Sequence, residues 1–260
     1  MNDVVKYEKI ADEHLAVLRI DRPEASNAIS TAVMEGLAAA LEQARQDDDV
    51  RAVILTGTGD RVFVSGGDLK EFHADLTDEE RVYEKMSQMR RVLETIHLFP
   101  KPVIAAVNGA ARGGGGEVAS ACHFRVGADT ATVGFIQVKL GIAPGWGGGV
   151  LLSKIVGRQK ALALILRGDI IDARAAMELG FFDIVCPQDE ILHYARMYAK
   201  PLTANSPKAV QSLLRLLREQ ESLPVTDAME RESRLCAQLW GTPEHDAAVS
   251  SFLSRKARKE

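Results

Sequence analysis

Ser65-Gly66-Gly67-Asp68 and Arg112-Gly113-Gly114-Gly115-Gly116-Glu117 are the two stretches of this chain best suited to chemistry. Each follows an apolar, strand-like run and opens onto a charged or helical segment. A residue without a Cβ lets the main chain approach a ligand closely, and a helix start adds N–H groups that lack intrahelical partners. Two such turns could hold one oxyanion between backbone donors, although either turn alone also reads as an ordinary flexible loop. The acid that closes the second turn, Glu117, and a third cluster, Gly145-Trp146-Gly147-Gly148-Gly149, favour the chemical reading.

Other chemistries find little support. No turn fits G-x-G-x-x-G, no G-K-[ST] follows a glycine run, and there is no G-x-S-x-G elbow. The six histidines, His14, His73, His97, His123, His193 and His245, show no ligand spacing, and neither do Cys122, Cys186 and Cys236, so no metal site is expected. Backbone donors and carboxylates remain, a toolkit for stabilising an enolate.

The elements that must position these groups follow from the hydrophobic pattern. His14 to Ile20 and Val50 to Thr56 read as strands, with a helix between them capped by Ser30 and carrying Val33, Met34, Leu37, Ala38 and Leu41 on one face. The polar stretch from Lys70 to Glu80 reads as a solvated loop or a mobile lid, followed by a helix with Val82, Met86, Met89, Leu93 and Ile96. Val103 to Val107 is apolar on both faces and so belongs inside a sheet. A short helix is expected from Glu117 to Cys122, then strands at His123 to Gly127 and Thr132 to Phe135. Repetition of strand, strand, helix predicts an α/β fold that coils in layers. Beyond about residue 200 strand signals vanish; Asn205-Ser206-Pro207 starts a helix whose Ala209, Val210, Leu213, Leu214 and Leu217 need a partner.

Composition bounds the setting. The 260 residues are 46% hydrophobic with a net charge of -4, and the basic residues are scattered until the last few positions, so nucleic acid is not an expected partner. No apolar run approaches the ~20 residues needed to span a bilayer, the start lacks a targeting pattern, and three dispersed cysteines suit a reducing compartment. A cytoplasmic protein without a membrane partner is the expectation.

Several motifs, taken in order, resemble the crotonase (enoyl-CoA hydratase/isomerase) superfamily. They are Arg22-Pro23-Glu24-Ala25-Ser26-Asn27-Ala28, Phe63-Val64-Ser65-Gly66-Gly67-Asp68-Leu69-Lys70-Glu71-Phe72, Lys101-Pro102-Val103-Ile104-Ala105-Ala106-Val107-Asn108-Gly109 and Gly113 through Glu117. Leu140-Gly141-Ile142-Ala143-Pro144-Gly145, Ala176-Met177-Glu178-Leu179-Gly180 and Asn205-Ser206-Pro207 extend the likeness over nearly the whole chain. The resemblance implies a spiral of strand–strand–helix units over residues 1–198 and a helical trimerisation module over 199–260, assembling as trimers or dimers of trimers. It implies an acyl-CoA substrate, with no cofactor beyond the coenzyme A that the substrate itself carries.

Carried over by position, the resemblance puts an oxyanion hole on the N–H groups of Gly67 and Gly114. It makes Glu117 the first of two catalytic glutamates; an acid that merely satisfies a helix dipole is the other reading. Substrate contacts fall on Ala25, Ser26, Ala28, Ser65, Gly66 and Leu69, with Asp68 chiefly supporting its loop. Trp146 reads as a substrate contact or as core filler. Phe252 and Arg255, near the C-terminus, read as CoA contacts or as a solvated tail.

The second family glutamate would fall at Gln137, and an amide neither takes nor gives a proton at neutral pH. Two catalytic readings follow. Glu117 alone could shuttle a proton in a hydratase-like lyase. Alternatively, a methyl- or ethylmalonyl-type thioester could lose CO2 to the same enolate site, where Gln137 would not repel its carboxylate. A CoA- or RNA-binding homologue without activity is a third possibility, against which the negative charge and Glu117 argue.

Overall fold

A computed structural model describes residues 4–75 and 78–257, with side chains omitted for 73–75 and 255–257. The chain forms two compact units, the first ending at Thr203 and the second beginning at Ala204.

The first unit opens with an antiparallel pair, β1 (Val5–Ile10) and β2 (Leu15–Ile20), in which Tyr7 faces Leu18. Helix α1 (Thr31–Gln46) follows; Ser30 caps it by accepting the Val33 N–H at 3.3 Å, and Val33, Met34, Leu37 and Leu41 are buried on one face. Three repeats of one pattern come next. Strands β3 (Ala52–Gly57) and β4 (Val62–Val64) lead to α2 (Leu69–Asp75) and α3 (Glu79–His97). Strands β5 (Val103–Val107) and β6 (Ala110–Arg112) lead to α4 (Gly114–Ala121). Strands β7 (Phe124–Ala128) and β8 (Thr132–Gly134), with a 3₁₀ turn at Ile136–Leu140, lead to α5 (Gly148–Val156) and α6 (Arg158–Arg167). β9 (Ile170–Asp172), α7 (Ala173–Glu178), β10 (Ile184–Cys186) and α8 (Ile191–Thr203) complete the unit.

Each repeat adds its first strand to a six-stranded sheet, ordered β1-β2-β3-β5-β7-β10, and its second to a four-stranded sheet, ordered β4-β6-β8-β9. The chain therefore spirals. In the smaller sheet β4, β6 and β8 are parallel, with Val64 beside Ala111 and Arg112 beside Gly134. Parallel neighbours end on the same edge, so the segments after these three strands emerge side by side. Those segments carry Gly67, Gly114 with Glu117, and Gln137.

Two expectations about single elements are corrected, and one boundary is relocated. Residues 70–80 do not form a loop where they are described: Asp68 Oδ1 accepts the N–H groups of Lys70 at 3.2 Å and Glu71 at 3.4 Å and so starts α2, while Asp78 caps α3. Helix α4 begins at Gly114 rather than at Glu117. Its glycines are poor helix formers in isolation, but a side chain at Gly115 would overlap the Val64 carbonyl and one at Gly116 would lie 3.0 Å from the Phe135 ring. Close packing of α4 on β4 excludes anything larger. The boundary drawn at residue 198 falls inside α8.

The second unit comprises α9 (Pro207–Glu219), α10 (Val225–Leu239) and α11 (Pro243–Ala257). Ser206 caps α9 by accepting the Ala209 N–H, and Leu216 and Leu235 are buried. No helix of the described residues is long and apolar enough to cross a membrane.

Asn27 locks the first motif to β4. It is 1% exposed with φ near +53°, accepts the Arg22 N–H at 3.1 Å, and donates to the carbonyls of Thr58 at 3.0 Å and Val62 at 2.8 Å. Asn27→Ala removes all three bonds and leaves two half-buried carbonyls and one N–H without partners. It should lower unfolding stability by about 3 kcal/mol, read as a reduced urea midpoint at unchanged slope.

Candidate active site

Neither the Gly67 nor the Gly114 N–H donates to any described residue. Gly114 is the first residue of α4, where no intrahelical acceptor exists. Gly67 lies on an isolated bridge in which its neighbours are engaged instead: the Gly66 carbonyl accepts from Ile29 at 2.8 Å, and the Asp68 N–H donates to the Ile29 carbonyl at 2.9 Å. Both glycines rest against one indole. A Cβ on Gly114 would overlap the Trp146 ring, and one on Gly67 would sit 3.4 Å from Trp146 Cζ2.

Glu117, in the first turn of α4, is 2% exposed. Its Oε2 accepts the N–H groups of Trp146 and Gly148, each at 2.9 Å, and its Oε1 accepts Gln137 Nε2 at 3.0 Å. Burial pushes this carboxyl above the usual glutamate range, and the N–H donors of Gly148, Trp146 and Gln137 only partly offset that. The third glycine cluster thus serves the acid directly. A side chain at Gly148 would overlap Glu117, so the close approach requires glycine there. That role for Gly148 was not apparent from the sequence, where the cluster showed only as a turn.

Gln137 is 7% exposed, and its Oε1 has no hydrogen-bond partner. A buried acceptor left unpaired costs roughly 1–3 kcal/mol. The site thus offers a base of raised affinity for protons beside an acceptor in want of a donor.

Asp68 pairs with Arg22 Nη2 at 2.9 Å, which holds its carboxyl below the usual range. Arg22 Nη1 in turn donates to the Ala28 carbonyl at 2.7 Å, and the Ser65 N–H to the Ser26 carbonyl at 3.2 Å. Asp68, Ser65, Gly66, Ser26 and Ala28 therefore braid the first motif onto the first glycine turn. Ala25 closes the 3₁₀ turn Pro23–Ala25, and Leu69 is 63% exposed at the start of α2. Trp146 is buried at 4% exposure. Phe252 lies on α11 and is 70% exposed; the side chain of Arg255 lies outside the described residues.

Phe72 is a neighbour that the sequence reading did not single out. Its ring, 6% exposed, would stand 2.6 Å from a Cβ on Gly67. Beside it Glu71 accepts the Thr31 N–H at 3.0 Å and pairs with Lys85 at 3.2 Å, which ties α2 to α1 and α3.

Residues 11–259 match the enoyl-CoA hydratase/isomerase family. The chain is 35% identical over 246 residues to a probable enoyl-CoA hydratase of Bacillus subtilis, covering 94% of each chain. It is 31% identical over 244 residues to the 2,3-dehydroadipyl-CoA hydratase of Escherichia coli, again covering 94% of each. Among solved structures, an enoyl-CoA hydratase from Bacillus anthracis superposes with a TM-score of 0.92 at 30% identity, over 97% of this chain and 96% of that one. The layered spiral is thus the crotonase fold.

The raised carboxyl of Glu117 sets a pH dependence. The folded protein binds this proton more tightly than the unfolded chain does, so the contribution of Glu117 to stability is full below the ordinary glutamate range and falls as pH rises towards the raised value. The unfolding free energy of the wild type minus that of Glu117→Gln should therefore decrease between pH 4 and neutrality in denaturant titrations. A difference that is constant or rises with pH would contradict the assignment.

Proposed function

Because the chain belongs to the enoyl-CoA hydratase/isomerase family, we propose that it is an acyl-CoA lyase adding water reversibly across the double bond of an enoyl-CoA thioester, with Glu117 as its single acid–base residue. The observation that carries this reading is the unpartnered Gln137 Oε1 beside a buried carboxylate. Water supplies what both groups lack. One hydrogen bonds to Gln137 Oε1, and the other passes to Glu117 Oε1 as the water oxygen bonds to the substrate Cβ.

The electron pair of the double bond moves toward the thioester, and the carbonyl oxygen becomes an enolate oxygen between the N–H groups of Gly67 and Gly114. Each such donor lowers the barrier by about 2.7–4 kcal/mol when water is excluded. Glu117 then returns its proton to Cα, and the reverse sequence eliminates water. Carboxylate oxygens have about four acceptor sites, of which three are taken by Trp146, Gly148 and Gln137, so one is left for the proton. Coenzyme A enters as part of the substrate. Exposed Leu213, Leu217, Met229 and Phe252 on the helices of the second unit, and Trp240 just after α10, suit assembly into homotrimers or dimers of trimers.

Decarboxylation of a methyl- or ethylmalonyl-type thioester is the second reading, and the amide at position 137 is the observation that favours it. A glutamate there would repel an incoming carboxylate by about 4 kcal/mol at 4 Å and an effective dielectric near 20. Breaking the C–CO2 bond leaves its electron pair on the same enolate, so no base is required. The orphaned acceptor weighs the other way, because a carboxylate offers it no hydrogen.

Incubation with crotonyl-CoA and with methyl- and ethylmalonyl-CoA, with products identified by mass, separates the two. Water addition to crotonyl-CoA is expected, and Glu117→Gln should reduce it by about 10²–10⁴-fold. Wild-type CO2 release that survives in this variant would replace hydration with decarboxylation. The hydration rate should rise with pH along one limb as Glu117 loses its proton; two separated catalytic ionisations would show that a second acid or base takes part.

A further inference from the structure

Two aromatic rings close on the glycines assigned above to the enolate. Phe72 and Trp146 are both buried, and Gly67 lies against the two together, with a Cβ there reaching 2.6 Å from Phe72 Cε2 and 3.4 Å from Trp146 Cζ2. Gly114 abuts the benzene edge of the same indole. Both rings are braced. Lys85 Nζ stands 5.3 Å from the centre of the Phe72 ring while pairing with Glu71 at 3.2 Å. The Trp146 N–H is bonded to Glu117 at 2.9 Å, and the preceding residue, Gly145, lies so close to Met86 that a Cβ would be 3.0 Å from its sulfur.

We propose that Trp146, which lies with Phe72 against Gly67, is the end wall of the acyl subsite and limits this protein to short acyl chains of butanoyl length. The proposal rests on the reading above, since the carbonyl held by Gly67 and Gly114 fixes where the acyl chain starts. Carbons beyond the reacting pair meet aromatic carbon, and a longer chain has to move the indole aside. Moving it strains the Trp146 N–H bond to Glu117, because ring and N–H belong to one short turn between Pro144 and Gly148. An oversized substrate is therefore penalised in binding and in the placement of the base.

Calorimetric binding of saturated acyl-CoAs from butanoyl to decanoyl reads the wall without turnover. Wild-type affinity should stay level or fall beyond butanoyl. Trp146→Ala should instead gain roughly fourfold per added methylene until the opened space is filled. Removal of a large buried ring can prevent folding, so Trp146→Leu and Trp146→Phe, each checked by thermal melting, provide smaller openings with smaller gains. Wild-type affinity that climbs about fourfold per methylene to decanoyl, or a folded Trp146→Ala with an unchanged profile, would overturn the proposal. So would cinnamoyl-CoA binding the wild type more tightly than butanoyl-CoA, because the rings would then stack on an acyl group instead of stopping it. Parallel assays with crotonyl- and decenoyl-CoA separate the two claims. A chain-length profile without any enoyl-CoA turnover removes the lyase reading and leaves the wall standing, whereas turnover with no response to Trp146→Ala does the reverse.

Discussion

A carboxyl group taken out of water must find hydrogen-bond donors inside the protein, and that requirement at Glu117 organises the site. Its three donors come from two places: Gln137 in the 3₁₀ turn after β8, and the N–H groups of Trp146 and Gly148 at the entrance to α5. One side chain on α4 thereby fixes the relative position of two segments far from it in sequence. The same bonds keep the carboxyl from drifting to a fully neutral state, while burial keeps it from being an ordinary surface acid. Without these three donors the group would be an unpaired buried charge, costly enough to be neutralised.

The spiral supplies those partners by repetition. Because β4, β6 and β8 are parallel neighbours, whatever follows each of them appears on one edge of the smaller sheet. The larger sheet, whose β3 and β5 are wholly buried, holds the repeats in register from behind. Glycine is demanded where the repeats touch: Gly115 against the Val64 carbonyl, Gly114 against Trp146, Gly148 against Glu117. These contacts, and not helix propensity, explain a helix that starts with three glycines.

Much of this was legible in the residues. Helix α1 with its Ser30 cap, β5 as a buried strand, the Ser206 cap of α9 and the two glycine turns follow from local patterns, because caps and periodicity are local physics. The family's motifs extended that reading to Glu117 and Gln137. What local pattern could not give was set by distant partners. Residues 69–75 look too polar for a helix until Asp68 caps them and Phe72 buries its ring. Gly148 looks like one more flexible glycine until Glu117 is placed against it. Strand β1 is half exposed, with alternation too weak to stand out before β2 pairs with it.

The amide at position 137 has a consequence of its own for proton transfer. A carboxylate at Glu117 needs a donor beside Oε1, and Gln137 Nε2 provides one. Once Glu117 has taken a proton, its hydroxyl needs an acceptor, and a half-turn of the Gln137 amide presents Oε1, the atom that is otherwise unpaired. One side chain can thus satisfy both protonation states without itself gaining or losing charge. Two adjacent carboxylates would instead share a proton and titrate as a coupled pair, each raising the affinity of the other for it. A lone acid with an amide neighbour keeps a single ionisation and avoids placing a second negative charge beside the proposed enolate. For the hydration proposed above, the cost is that no second group can donate a proton while Glu117 accepts one, so each proton taken from water has to be the one delivered to carbon.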